Sequence, residues 1–258
     1  MRISFEASSY CNAKCVFCPQ SQMKRKRGEM SDELFHKIIK EGKELNAQGF
    51  YPFLNGEPFV FPKIYKWLDY MEKEKVNVYL YTNADRMNVD RILKYTCIRT
   101  INCSLNATTK KTHKKLMRGP NFRKAVRNTK KLIAQAKNFR VRVSMIELPE
   151  NASEKEDFKK TWGSLAKFCF CKNWLGYNNE KNKDDPKIPC YYLRNYIAVL
   201  WDGRVALCCM DYEGKVIIGD LNKESLRDIW TKLAPLRKRQ RYLDFDMPLC
   251  RDCNVNIA

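Results

Sequence analysis

ISFEASSYCNAKCVFCPQ, residues 3–20, opens on a short apolar run and then sets Cys11, Cys15 and Cys18 within eight residues. ISFEA (3–7) reads as a strand, so the C-x3-C-x2-C loop follows a strand directly. In a parallel α/β sheet, ligands gather beyond the carboxyl ends of the strands. A structural zinc site takes four ligands, and disulfides take pairs. Three thiols on one loop therefore point to a metal site with one coordination position open. A cubane [4Fe–4S] cluster held by three thiolates leaves one iron free for an exogenous chelator.

Working outward, apolar runs alternate with amphipathic ones. Helices are expected over 31–45, with Ser31 as N-cap, from Pro62 through PKIYKWLDYMEKE, over 88–95, in a broken basic stretch at about 108–137, and over 153–162. Strands are expected at 49–55, 76–82, 99–106, 139–147 and 165–171. Strands alternating with helices argue for a parallel sheet with right-handed crossovers. Six units are too few for a closed eight-stranded barrel, so the expected fold is a partial (β/α)6 TIM-type barrel spanning 1–176. The polar run 177–187 reads as a linker. Beyond it, YIAVLWDGRVALCC carries Asp202-Gly203 between two apolar runs, a hairpin signal. KESLRDIW (223–230) reads as a helix, and the chain then reaches Cys250 and Cys253 in a C-x2-C. A small β-hairpin/helix module is expected at 186–258.

Hydrophobic residues are 44% of the 258, enough for a sizeable core, and no apolar run approaches the ~18 residues of a membrane span. The first residues lack the apolar region and cleavage site of a signal peptide. A cytoplasmic location is expected, with metal binding rather than disulfides as the use of the twelve cysteines. The net charge is +20, and residues 110–131 hold ten Lys or Arg and no acid. That field favours an anionic partner. The competing reading is a lysine-rich habit of solvated helix faces, since no aromatic or Gly-rich nucleic-acid module accompanies it.

C-x3-C-x2-C with Phe17 before the last Cys resembles the radical S-adenosylmethionine (SAM) enzymes. The resemblance covers most of residues 3–162. It implies SAM chelating the open iron and its reductive cleavage to methionine and a 5′-deoxyadenosyl radical. Asn55-Gly56-Glu57-Pro58 resembles the family's Gly-Gly-Glu-Pro, which binds the SAM ammonium; Asn replaces the first Gly. Thr82-Asn83-Ala84 resembles Thr-Asn-Gly, and Ser104-Leu105-Asn106 resembles the Ser-Leu-Asp of the fourth strand, implying polar contacts with SAM. Ser104 and Asn106 would share one strand face with Asn102. Arg118 is a candidate for the SAM carboxylate, and Ile146 for packing on adenine.

The run from Cys190 to Cys253 is similar to the SPASM and twitch extensions of that family, which hold auxiliary [4Fe–4S] clusters. Its length and cysteine number suit one further cluster, on Cys190, Cys250, Cys253 and one of Cys208 and Cys209. Adjacent strand residues point to opposite faces. The family's spacing favours Cys208, and Val205, Leu207 and Cys209 would share the core face. A zinc ribbon is the competing reading. Cys97, Cys103, Cys169 and Cys171 read as small core residues. His36 and His113 stand on helical segments without evident partners.

The expected function is a radical SAM oxidoreductase that oxidises a small polar substrate, of sugar or aminocyclitol type or an anionic sugar derivative, with the auxiliary cluster accepting an electron. Its electron donor would be of the flavodoxin or ferredoxin kind. Because strand one starts at residue 3, no separate peptide-recognition domain is expected. The alternatives are a peptide- or protein-modifying maturase and, from another class, a nucleic-acid-binding metal protein, for which salt-dependent binding would be the mark; nucleic acid and membrane are not the expected partners. Asp211 and Tyr212, after the hairpin, are candidates for a catalytic role.

Overall fold

The computed structural model describes residues 1–170, 188–247, 249–251 and 253. The expected linker at 177–187, the 176/186 boundary and Cys171 lie outside the described residues. The first part of the chain runs β1 (Arg2–Phe5), α1 (Asp32–Glu44), β2 (Gly49–Tyr51), α2 (Ile64–Lys73), β3 (Val78–Thr82), α3 (Val89–Ile92), β4 (Ile98–Ser104), α4 (Lys110–Met117), α5 (Phe122–Gln135), β5 (Arg140–Glu147), α6 (Lys155–Trp162) and β6 (Ala166–Phe170). The second runs α7 (Tyr191–Asn195), β7 (Tyr196–Val199), β8 (Arg204–Ala206), β9 (Ile217–Asp220), α8 (Leu226–Lys232) and α9 (Ala234–Arg241).

All these strands form one sheet in the order β6-β5-β4-β3-β2-β1-β7-β8-β9. The first six are parallel neighbours in chain order, the expected partial barrel. The barrel does not close β6 onto β1. Instead β7 takes the free edge of β1 in parallel register, Arg2 opposite Tyr196 and Phe5 opposite Val199. The hairpin β7–β8 and then β9 continue antiparallel, so the C-terminal strands extend the barrel sheet.

Alternation decides the two faces of this sheet. On β5, Val141, Val143 and Met145 are buried while Arg140 and Arg142 are exposed. The buried rows face the helices. There Phe5, Phe35, Phe50, Phe61 and Trp67 are all at most 1% exposed, with Phe35 stacked on Trp67 at 4.0 Å. α1 starts as expected, Ser31 Oγ accepting from the Leu34 N–H at 3.2 Å, and buries Leu34, Phe35, Ile38 and Ile39. Several boundaries move. β2 ends before Pro52, which has no N–H to donate. α2 begins at Ile64, two residues past Pro62. The basic stretch breaks at Arg118, whose backbone is left-handed (φ 46°).

Candidate active site

The first thiol set sits just past β1. Its loop is clamped from several sides. The Lys14 N–H donates to the carbonyls of Met117 (3.1 Å) and Arg118 (3.0 Å), and the Val16 N–H to that of Leu116 (2.9 Å). Asn12 accepts from Asn83 Nδ2 and donates to Asp85 Oδ2, both at 2.8 Å. The Glu57 N–H donates to the Tyr10 carbonyl at 3.0 Å. Two glycines make this approach possible. A Cβ on Gly56 would lie 2.0 Å from the Ser8 carbonyl oxygen, and one on Gly119 2.1 Å from that of Asn12.

Burial pushes the Cys11 thiol up to about 12, and raises Cys15 and Cys18 as well. Cys18 and Cys11 add their own repulsion at Cys15. Such thiols hold their protons until a metal takes their place. Beside them lies an apolar shelf of Phe17, Leu116, Met117 and Leu148, with Cys15, Cys18 and Ile146 at its edge. The sequence-derived pair Phe17 and Ile146 therefore meets on one surface.

Glu57 is buried, and burial pushes its carboxyl up to about 7. Its Oε1 accepts from Thr82 Oγ1 (2.6 Å) and the Phe59 N–H (3.3 Å), and its Oε2 from the Asn83 N–H (2.7 Å). Three of about four lone pairs are thus used to join the loop after β2 to the turn after β3. Neighbouring Asn55 is buried with its Nδ2 unpartnered. An orphaned donor, two close-approach glycines, three thiols and an apolar shelf together fit a cluster with an amino-acid-bearing adenosyl ligand.

The other expected site residues make contacts of their own. Asn106 lies past the end of β4 in left-handed backbone (φ 59°), off the face shared by Asn102 and Ser104. Its Oδ1 accepts from the Ile146 N–H at 2.8 Å and its Nδ2 lies 3.0 Å from Met117 Sδ, so its amide braces the shelf. Ser104 stays partly open, 3.3 Å from Ser144 Oγ. The Arg118 side chain is exposed and donates to the Lys115 carbonyl; its backbone, rather than its guanidinium, meets the cysteine loop. Asp211 accepts from the Lys215 and Val216 N–H groups, both at 2.8 Å, closing its own loop. Tyr212 is engaged through its carbonyl, which accepts from Arg25 Nε at 2.6 Å.

The second thiol set lies beyond the hairpin. Cys190, Cys208, Cys250 and Cys253 line one cavity of about 20 Å³ with Leu207 and Gln240, and Cys209 does not line it. β8 ends at Ala206, before either cysteine. Burial, with Cys209, Cys190 and Cys253 nearby, drives the Cys208 thiol far up. Among the described residues, no three His, Cys, Asp or Glu side chains are close enough to hold a single metal ion. Four thiols around one cavity are a donor set that a [4Fe–4S] cluster or a zinc ion can take. The sequence reading missed Gln240. It is 1% exposed, accepts from the Cys190 N–H at 3.2 Å and points its Nε2 at Cys250 Sγ at 3.5 Å. Cys97 and Cys103 are core residues, and His113 is buried on α4. No described helix is long and apolar enough to cross a membrane.

The sequence profile of the radical SAM superfamily matches residues 5–160, and that of an iron–sulfur cluster-binding domain, SPASM, matches 190–254. The mycofactocin maturase MftC of Mycobacterium ulcerans (strain Agy99) is 29% identical over 160 residues, 60% of this chain and 42% of that one. The matched segment thus spans about two fifths of this curated relative. Among solved structures, BtrN in complex with AdoMet and 2-DOIA superposes with a TM-score of 0.71 at 20% identity, covering 98% of this chain and 92% of that one. Streptococcus suis SuiB bound to precursor peptide SuiA gives 0.73 at 18% identity, covering 98% and 69%. At these identities the likeness is one of fold.

Proposed function

We propose, from the premise that the chain belongs to the radical SAM superfamily, that it is an oxidoreductase. It would couple SAM cleavage to oxidation of a small polar substrate of sugar or aminocyclitol type. The radical SAM and SPASM domains imply [4Fe–4S] clusters. One observation carries the reading: two separate thiol sets, three on the loop after β1 and four around the cavity beyond the hairpin.

Cys11, Cys15 and Cys18 would hold the first cluster, and Cys190, Cys208, Cys250 and Cys253 the second. When bound, the first cluster supplies one electron to SAM, giving methionine and a 5′-deoxyadenosyl radical that takes a hydrogen atom from substrate. The second supplies an acceptor for the electron left on the substrate. The chain's own groups do the rest. Asn55 offers its free N–H to the SAM amino-acid moiety. The shelf of Phe17, Leu148 and Ile146 takes the adenine and excludes water. Glu57 fixes the turn that carries Asn83.

The test is 5′-deoxyadenosine formation by anaerobically reconstituted, dithionite-reduced protein given SAM. Wild type should form it above a no-protein control. Cys15→Ala should abolish it, whereas Cys250→Ala should retain cleavage and lose oxidised product. Cleavage surviving in Cys15→Ala would overturn the assignment of the first site.

A second reading, modification of a peptide, is favoured by the name of the curated relative and by the peptide bound to SuiB. Label transfer from deuterated sugars against deuterated peptides into 5′-deoxyadenosine separates the two.

A further inference from the structure

The inward face of the barrel sheet carries chemistry that the cysteine loops do not use. A cavity of about 860 Å³ opens on it, at the amino-terminal half of the strands and away from the first thiol set. Strand register builds its walls. Tyr79, Thr100 and Arg140 stand on one rung across β3, β4 and β5, and Tyr81, Asn102 and Arg142 on the next. On the β2, β3 and β7 side the wall is aromatic: Tyr51, Tyr79, Tyr81 and Tyr196. Tyr51 and Tyr79 stack face to face at 4.7 Å. On the β4, β5 and β6 side it is cationic: Arg99, Arg140, Arg142 and Lys167.

Among the described residues, no Asp or Glu lines this cavity. On the outer surface, cations commonly have partners, as in Lys66–Asp32, Arg91–Asp69 and Lys131–Asp90. Among the described residues, no hydrogen bond or ion pair engages the side chains of Arg140, Arg142 or Lys167. Like charges gathered in one concavity without counter-ions focus a positive potential and draw an anion. Asn102, between Tyr81 and Arg142 on its rung, is 1% exposed and lies beneath the lining rather than in it; its Nδ2 donates to Ser144 Oγ at 2.7 Å.

A ligand that satisfies both walls has a flat ring for the tyrosines and two or more negative charges for the arginines and lysine. The cavity volume lies in the range of small-molecule sites, roughly 300–1,000 Å³. We propose that this cavity binds a nucleoside diphosphate or its sugar ester, and that this is the anchor of the substrate. Ser104 and Ser144 stand two residues up their strands from Asn102 and Arg142, about 7 Å. The sugar would extend along them toward the cysteine loop. Binding stands on the cavity alone; the ligand's role as substrate rests on the proposed function.

The experiment is calorimetric titration of the cluster-loaded chain at fixed salt with ADP, UDP and inorganic pyrophosphate. At least one nucleotide should bind in the micromolar range, and pyrophosphate at least tenfold more weakly. R140Q/R142Q should weaken the nucleotide at least tenfold. The single exposed-site change K167Q, which leaves the rungs intact, should weaken it severalfold. K124Q/R127Q, on the basic helix α5, should leave it unchanged. Cys15→Ala should lose SAM cleavage and keep nucleotide binding. Millimolar or absent binding, pyrophosphate binding as tightly as the nucleotide, or equal losses in K124Q/R127Q would each overturn the proposal. Absent nucleotide binding with normal SAM cleavage sinks this inference alone. Nucleotide binding without SAM cleavage in the wild type sinks the proposed function and leaves the site standing.

Discussion

Ala84 holds left-handed backbone (φ 61°) while fully buried, and its carbonyl accepts from Asn128 Nδ2 at 2.7 Å. The turn after β3 needs that conformation to aim the Asn83 N–H at Glu57. A Cβ there costs roughly 1 kcal/mol, which explains why the resembled Thr-Asn-Gly motif has Gly. Ala84→Gly should stabilise the chain by about 0.5 kcal/mol, since the added freedom of the unfolded glycine offsets part of the relief; a shift in urea midpoint at constant slope would show it. His113 gives a second residue-scale outcome. Burial pushes it down to about 4, below its unfolded value of 6.5, and its Nε2 has no partner. The unfolded chain therefore binds the extra proton between these values. Stability should fall as pH drops through that window, by at most about 1.4 kcal/mol per pH unit from this group. His113→Leu should flatten that part of the stability–pH curve, and an unchanged slope would refute the assignment. Gln240 acts on the second thiol set. A hydrogen bond to a ligand sulfur stabilises the reduced cluster, so Gln240→Leu should lower the potential of the auxiliary cluster with little change in the first. EPR-monitored redox titration reads both signals.

At the scale of elements, what was legible in the sequence followed from local chemistry. The hairpin turn is written in Asp202-Gly203, with Gly203 at φ 93°, and the start of α1 in Ser31 followed by two acids. The cysteine triad is legible because its spacing lies within one loop. What escaped depends on partners distant in the chain. α9 reads APLRKRQR, with no apolar stripe, and is held by Arg237 over the Trp230 ring at 3.4 Å and by buried Gln240. β9 is four residues long and exists because β8 pairs with it. The aromatic and cationic walls of the lumen appear only once register sets Tyr81, Asn102 and Arg142 on one rung. Asn106 and Asp211 read from the sequence as polar groups open to a ligand, because a sequence does not show that backbone N–H groups claim them first.

At the scale of the whole molecule, a buried ion pair within the first half anchors hydrogen bonds that reach the second. Glu6, just past the end of β1, is fully buried and meets Arg25 Nη2 at 2.6 Å. Its other oxygen accepts from the Trp201 N–H at 3.2 Å. Around this pair, Glu213 accepts from the backbone N–H groups of Lys24 and Arg25, and Trp201 Nε1 donates to the Lys26 carbonyl at 3.1 Å. The segment just after the first cysteine loop is thereby stitched to the turns on either side of β8. Removing one member of such a pair strands a buried charge. Arg25→Met should cost about 3–5 kcal/mol, whereas Glu6→Gln combined with Arg25→Met should cost clearly less than the sum of the two single changes. The coupling should also be visible without unfolding the chain. In Arg25→Met, amide exchange should rise at 24–28 and at 211–216 together, because each segment loses its hold on the other. Faster exchange confined to 24–28 would mean that the pair is local, and a double change that costs the full sum of the single ones would mean that the two side chains are not coupled.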